Sequence, residues 1–284
     1  MTLAPAGLRS LISDGAPVVA PLIYDGVSAL AVRSLGFRAA YIGSYATGAT
    51  LYGIPDIGFI GVEDMASQVR RLAPIVDVPI IVDGEGGWGG PLQVARSVRL
   101  LEQAGAAAVH IEDHTEGKHI GVPQVLPVER AADKIKAAVD ARGSEDFLII
   151  ARSDAVAAEG LDAAIDRLLA YEEAGADALF IAAPASVATH PRLVSESRSL
   201  IVAVNDPTLS AQELGDRGAD VVLYYALSLF AAQSEVVSAL STLAREGSTA
   251  EIDGAYASLD GFDAFLGIEH ARRDLGRFVR SSAL

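Results

Sequence analysis

The stretch Ile80-Ile81-Val82-Asp83-Gly84-Glu85-Gly86-Gly87-Trp88-Gly89-Gly90 ends an apolar run in two carboxylates one residue apart, with five glycines after or between them. Burying a carboxylate costs several kcal/mol unless a cation or hydrogen bonds compensate. Two acids at the end of a strand, among glycines that let a ligand approach the backbone, suit a hard metal ion in an active-site mouth. A strand that runs into a solvated, flexible loop is the plainer alternative.

Other apolar runs also end in groups with chemistry: Gly43-Ser44-Tyr45, Glu112-Asp113-His114, Arg152-Ser153-Asp154 and Asn205-Asp206. A lone Glu or Arg at a strand end is ordinarily a solvated rim residue or half of a structural ion pair. Five at equivalent positions (Asp83, Glu85, Glu112, Arg152 and Asn205) favour a common site. Three carboxylates repel unless a cation sits among them, and oxygen ligands without Cys or clustered His favour Mg²⁺ or Mn²⁺ over Zn²⁺. Arg152 offers a planar fork suited to a substrate carboxylate. Of the five histidines, His114 and His119 fall in a strand-end loop. His110 lies within a strand and is expected in the core or barrel wall. A phosphate-loop reading of Gly84–Gly90 fails, because no Gly-Lys-Ser/Thr follows and no dinucleotide fingerprint is present.

The elements that would position these groups alternate regularly. Strand-like runs at Val18–Ile23, Ala39–Ser44, Ile80–Asp83, Ala107–Glu112, Leu148–Arg152, Ala178–Ala182, Leu200–Asn205 and Val221–Tyr224 are separated by helix-period segments such as Val62–Ile75, Leu92–Ala104, Val128–Val139 and Leu161–Ala174. Continuous apolar runs imply strands buried on both faces, as in a parallel sheet. Eight such units predict a (β/α)₈ TIM barrel, with an open doubly wound sheet as the alternative. Gly105, Gly175 and Gly218 each follow a helix and precede a strand, so they mark loops at the opposite end from the chemistry. The barrel domain is expected over residues 1–247. A C-terminal helical extension over 248–284 would carry one or two helices in Leu259–Val279 and pack on its own barrel or on a partner.

Composition bounds the rest. The 284 residues are 51% hydrophobic and 21% charged, which predicts a well-packed globular core. A net charge of -15 argues against nucleic acid as a partner. The absence of cysteine excludes disulfides, thiolate metal sites and a cysteine nucleophile, and fits a cytoplasmic protein. Residues Met1 to Ser13 lack the features of a secretory signal, and no apolar run is expected to span a membrane. The three lysines, Lys118, Lys134 and Lys136, make any one of them in a loop notable.

From about Val18 to Ala231 the chain resembles the isocitrate lyase/phosphoenolpyruvate mutase superfamily, in its branch of short single-domain members. The likeness rests on Tyr24-Asp25-Gly26-Val27-Ser28-Ala29, Gly53-Ile54-Pro55-Asp56-Ile57-Gly58, Asp83-Gly84-Glu85-Gly86-Gly87-Trp88-Gly89, Ile111-Glu112-Asp113 followed by Lys118, and Ala151-Arg152-Ser153-Asp154-Ala155. The third phrase stands where the family has Asp-Ala-Asp-Thr-Gly-Tyr/Phe-Gly. The resemblance implies a barrel that exchanges its eighth helix with a partner subunit, in homodimers or homotetramers. It implies chemistry next to a 2-oxo acid through an enolate stabilised by Mg²⁺, with Mn²⁺ as a substitute. Asp83 would be the direct metal ligand, and Asp56, Glu85 and Glu112 would hold the ion through water. Ser44 with the backbone of Gly43–Tyr45 would bind the 2-oxo acid end and Arg152 its carboxylate, with Tyr24 and Asn205 completing the substrate set. Arg152, Tyr45, His119 and Lys118 are the catalytic candidates.

The departures narrow the activity. The family lyases carry Lys-Lys/Arg-Cys-Gly-His after strand 4, where this chain reads Lys118-His119-Ile120-Gly121-Val122. The thiol position is Ile120, and the glutamate usual after strand 6 is Ala182. Decarboxylation needs no acid on a leaving alkoxide, so these losses fit oxaloacetate decarboxylase-like members best. The alternatives are a carbon–carbon lyase of a 2-hydroxy di- or tricarboxylate, with Tyr45, His119 or His114 replacing the thiol, and a barrel that binds carboxylates without turnover. The loop Asp113–Val125 is expected to close over the substrate.

Overall fold

A computed structural model describes residues 7–12, 16–115, 118–121, 124–250, 252 and 259–278. Its eight strands are β1 (Val18–Pro21), β2 (Ala40–Ile42), β3 (Ile80–Asp83), β4 (Ala108–Glu112), β5 (Leu148–Ser153), β6 (Ala178–Ile181), β7 (Leu200–Val204) and β8 (Val221–Tyr224). All pair in parallel, in the order β1-β8-β7-β6-β5-β4-β3-β2. A parallel bridge between Leu22 and Tyr41, with Ile23 N–H donating to Tyr41 O at 2.8 Å, joins β1 to β2 and closes the (β/α)₈ barrel.

Strand alternation sorts the core into two layers. Ile81, Ala108, Leu148, Ile150, Phe180 and Leu223 point into the barrel. Ile80, Val82, Val109, Ile111, Ile149 and Leu179 point outward against Met65, Val69, Val98, Leu101, Ile135 and Leu168 of the surrounding helices. Continuous apolar strands satisfy both layers at once. The helices supply one apolar stripe each: Val62–Val76 buries Met65, Val69, Leu72 and Val76, and keeps Glu63 and Asp64 in its first turn, where the helix dipole favours acids. Gly105, Gly175 and Gly218 sit at φ +106°, +101° and +103°, the left-handed geometry expected at the ends of these helices.

Parity also aims the chemistry. Asp83, Glu112 and Arg152 share the inward register of Ile81, Ala108 and Ile150, and β4 and β5 place Glu112 opposite Arg152. His110, two residues before Glu112, faces inward beneath it and pairs in register with Asp83.

The chain divides into two compact units, Met1–Leu229 and Phe230–Leu284. The helix Leu227–Glu246 begins in the first and continues in the second, where Leu259–Phe265 and Ile268–Phe278 form two further helices. By length and composition Leu227–Glu246 is apolar enough to cross a membrane, a test no segment was expected to pass. Its exposed Val236, Val237, Leu240 and Leu243 recur three and four apart, with Ser238, Ser241 and Thr242 between them and Ser234 and Glu235 just before. That striping is the pattern of an amphipathic surface helix.

Candidate active site

At the C-terminal mouth of the barrel, four carboxylates from three segments surround one ammonium. Lys118 Nζ lies 3.0 Å from Glu112 Oε1, 3.1 Å from Glu85 Oε1, 3.4 Å from Asp56 Oδ2 and 4.0 Å from Asp83 Oδ2. All five side chains are buried. Lys118 comes from the loop after β4, whose base is fastened where Thr115 N–H donates to Gln124 O (2.7 Å) and Leu126 N–H to Asp113 O (2.8 Å). The expected lid therefore places its lysine inside the mouth; residues 116–117 and 122–123 of that segment, including the position of the family histidine, lie outside the described residues.

Asp83 is held rigidly. Its Oδ1 accepts from Glu85 N–H (2.9 Å), and its Oδ2 from Ser44 Oγ (2.8 Å) and Ser44 N–H (3.3 Å) at the start of the helix Ser44–Tyr52. Ser44 Oγ also stands 3.4 Å from Asp56 Oδ1, and His119 Nε2 lies 3.1 Å from Asp56 Oδ2. Below, Tyr41 OH and His110 Nε2 are 3.1 Å apart, with His110 Nδ1 3.7 Å from Asp83 Oδ1.

Glu85 owes its position to an unusual backbone. Gly84 crosses so close to β4 that an added Cβ would sit 2.5 Å from His110 O, and Glu85 itself adopts φ +47°, in the left-handed region. Gly84 N–H donates to His110 O (2.8 Å) and Glu112 N–H to Glu85 O (3.0 Å), so the tight crossing extends the β3–β4 pairing and points both acids at Lys118.

Arg152 adds a second cation. Its Nε and Nη2 donate to Asp154 Oδ2 (3.1 Å) and Oδ1 (2.8 Å), and Nη2 lies 3.0 Å from Glu112 Oε2. The guanidinium also stands over the Phe180 ring, 5.4 Å from its centroid.

The electrostatics show a cluster short of positive charge. Burial raises the carboxyl of Asp83, but Lys118 and His110 overcome it and hold the group down at about 2. Burial likewise raises Glu112, yet Arg152 and Lys118 keep it well below the usual carboxylate range. Glu85 is left over: burial and the neighbouring Asp83 push it up to about 8. Burial disfavours charge on Lys118 as well, but Asp83 and Glu112 more than reverse this and keep the amine protonated. Three buried polar atoms here, His110 Nδ1, Glu112 Oε2 and His114 Nδ1, make no well-aligned hydrogen bond among the described residues, although Glu112 Oε2 is paired with Arg152 Nη2 at 3.0 Å. His114 Nδ1 is nonetheless 3.2 Å from Glu112 Oε1. A divalent ion fits this donor set, since it would supply the missing charge and use oxygen ligands. Glu85, Glu112 and His114 present ligand atoms within 4.8 Å of one another. Asp83 and Asp56 lie outside that tight triple, with Asp83 already engaged by Ser44 and Glu85.

The sequence-derived set is thus largely brought together: Ser44, Asp56, Asp83, Glu85, Glu112, Lys118, His119 and Arg152 form one chain of contacts. Gly43 caps the Ser44 helix, and Tyr45 follows in its first turn. Tyr24 and Asn205 stand at the ends of β1 and β7, with backbone bonds to Ser28 Oγ and Leu223 O. Sequence reasoning passed over Asp154 as the partner of Arg152 and gave His110 no role; the alternation that aims Glu112 inward aims His110 the same way.

Comparison with known proteins places this geometry. The phosphoenolpyruvate phosphomutase family matches residues 8–244. The 2,3-dimethylmalate lyase of Eubacterium barkeri is 32% identical over 276 residues, covering 94% of this chain and 95% of that protein. The oxaloacetate decarboxylase of Rhodopseudomonas palustris (strain BisB5) is 37% identical over 204 residues, covering 70% of each. Among solved structures, a phosphonopyruvate hydrolase in complex with oxalate and Mg²⁺ superposes with a TM-score of 0.85 at 27% identity, covering 96% of this chain and 98% of that one. With its barrel, its strand-end acids and these relatives, the chain belongs to the phosphoenolpyruvate mutase/isocitrate lyase superfamily of carbon–carbon lyases and mutases that act on oxo acids.

Proposed function

We propose that the protein is a Mg²⁺-dependent decarboxylase of a small 2-oxo acid of the oxaloacetate type. The observation that carries this reading is the excess of buried carboxylates over cations, which leaves Glu85 up at about 8, beside an arginine held ready for a carboxylate. Asp83, Asp56, Glu85 and Glu112 would hold the metal, with His114 as a further donor. The ion would supply positive charge next to the 2-oxo group, where an enolate develops. Ser44 and the backbone of Gly43–Tyr45 orient the 2-oxo acid end, and Arg152 fixes a carboxylate. Loss of CO₂ leaves the bonding electron pair on carbon 3 as an enolate, and a proton returned to that carbon gives pyruvate. Lys118 stays protonated and balances the acids, while His119, exposed and anchored on Asp56, is placed to move the proton. No thiol is required, which agrees with Ile120 at the position where the lyases use cysteine.

Near full-length likeness to a 2,3-dimethylmalate lyase supports a second reading, cleavage of a 2-hydroxy dicarboxylate with His119 as the base. Purified protein with Mg²⁺ should release pyruvate from oxaloacetate above the rate of an Arg152→Met blank, which corrects for metal-catalysed decarboxylation in solution. Turnover of 2,3-dimethylmalate or 2-methylisocitrate instead would decide for the lyase, and turnover of none of them would remove both readings.

A further inference from the structure

Behind Arg152, on the outer side of the strands, lies a second buried network that takes no part in the acid cluster. Asp113 follows Glu112, so alternation turns its side chain away from the mouth and toward the helix Leu161–Glu173. Its carboxylate accepts from Ser153 Oγ (2.8 Å), Asp154 N–H (2.9 Å) and Tyr171 OH (2.8 Å), with Arg167 Nη1 at 3.5 Å. Arg167 is also buried. Its Nη1 donates to Leu126 O (2.7 Å), and Nε and Nη2 grip both carboxylate oxygens of Glu159 at 2.7 and 2.6 Å.

The chain of contacts leads back to the mouth. Asp113 fixes the backbone of Asp154, and Asp154 fixes the guanidinium plane of Arg152 through two hydrogen bonds. Nη1 of Arg152 carries none of these contacts. The same Nη2 that Asp154 holds is 3.0 Å from Glu112 Oε2, so Arg152 is pulled by two anions, one inside the acid cluster and one outside it. Whatever holds Asp154 decides how far Arg152 leans on Glu112. An arginine buried only to pair a carboxylate would need Glu159 alone; Arg167 instead ties together the turn Val156–Glu159, Leu126 at the end of the β4 loop, and Asp113 at the end of β4.

We infer that Arg167 and Asp113 are positioning residues that aim Arg152 at its carboxylate ligand by fixing Asp154. The inference rests on the proposed role of Arg152 in binding that carboxylate. An arginine that no longer meets its carboxylate squarely loses a charge-assisted hydrogen bond, which is about tenfold or more in affinity.

The test is calorimetric titration of oxalate into protein saturated with Mg²⁺, alongside titration of Mg²⁺ alone, for wild type and for Arg152→Met, Asp113→Asn, Arg167→Met, Arg167→Lys and Glu159→Gln. Asp113→Asn is isosteric and Glu159→Gln alters a partly exposed group, so these two keep the test available should Arg167→Met fail to fold. Expected is loss of oxalate binding in Arg152→Met and weakening by about tenfold or more in Asp113→Asn and Arg167→Met, with partial recovery in Arg167→Lys and a smaller loss in Glu159→Gln. Mg²⁺ affinity should stay close to that of wild type in the Asp113, Arg167 and Glu159 variants, which general destabilisation would not produce. Wild-type oxalate affinity in the Asp113 and Arg167 variants, with Arg152→Met impaired, overturns the inference and leaves the proposed function standing. Oxalate binding untouched in Arg152→Met, or absent in wild type, removes the role of Arg152 and the inference with it.

Discussion

Lys118 Nζ sits 3.0 Å from Glu112 Oε1, at the centre of a shell that three more carboxylates complete. A buried charge of this kind is costly to orphan: removing one partner of a buried pair costs about 3 to 5 kcal/mol. Lys118→Met should therefore destabilise the metal-free protein by about 3 kcal/mol, with most of that loss recovered on adding Mg²⁺. The same substitution removes a competing positive charge, so Mg²⁺ should bind about tenfold more tightly. Urea denaturation in EDTA and in Mg²⁺ reads the first effect and titration calorimetry the second. Equal stability of the two proteins in EDTA would show that the ammonium does not neutralise the cluster.

The pH dependence of the metal-free protein follows from two acids shifted in opposite directions. Glu85 rises from 4.5 to about 8 on folding, through burial and the charge of Asp83. A raised acid favours folding in its protonated form; its contribution is complete below about 4.5 and disappears as pH rises through about 8. Asp83 drops from 3.8 to about 2 because Lys118 and His110 outweigh burial, so its contribution is present above 3.8 and is lost only as pH falls toward 2. Between pH 5 and 8 His110, lowered by burial, and His114, raised by Glu112 against the effect of burial, titrate as well, so the Glu85 effect is read as the difference between wild type and Glu85→Gln. In EDTA, wild type should lose stability across that window relative to Glu85→Gln, and the two unfolding curves should converge near pH 5. Parallel pH profiles would place the Glu85 carboxyl near its ordinary value.

Arg152 presents a flat fork already gripped by Asp154, and lysine cannot reproduce that geometry. Arg152→Met should raise KM for the 2-oxo acid about a hundredfold, equivalent to about 3 kcal/mol, and Arg152→Lys should recover little of it. Steady-state kinetics on protein whose Mg²⁺-bound Tm has been checked separates this loss from unfolding. A KM unchanged in both variants would take Arg152 out of the substrate site.

Much of this arrangement was legible in the chain itself. Runs such as Ile80–Val82 and Leu148–Ala151 are apolar at every position, which only strands packed on both faces require, and the barrel follows from eight strands of this kind. Strand-end position then sufficed to gather Asp83, Glu112 and Arg152. What stayed hidden depends on distances that spacing does not encode. Lys118 reaches the acids by a loop whose path no periodicity describes, and the phrase Arg152-Ser153-Asp154 does not say that its acid grips its arginine. Asp113 and Arg167, 54 positions apart by their numbers, meet only because β4 and the helix after β5 are neighbours in the folded barrel. The limit of the first compact unit, at Leu229, falls inside one continuous helix, where no break in composition marks it.

The backbone crossing at Gly84 can be tested independently of any ligand. A methyl group there would meet His110 O at 2.5 Å and Val109 Cγ2 at 2.6 Å, one of them backbone and neither able to withdraw without parting β3 from β4. Gly86, two residues on, is different: the nearest atom to an added Cβ is Lys134 Nζ at 3.4 Å, the far end of a flexible side chain. Gly84→Ala should cost about 2 kcal/mol or more, as overpacking against a fixed neighbour does, whereas Gly86→Ala should cost well under about 1 kcal/mol. Because Gly84 also sets the left-handed turn at Glu85, the first substitution should weaken Mg²⁺ binding and the second should leave it intact. Urea midpoints with calorimetric Mg²⁺ titration measure both quantities. If Gly84→Ala were as stable as wild type, alanine would fit as it does in the family phrase, and the close approach to His110 that aims Glu85 at Lys118 would not be a feature of the folded protein.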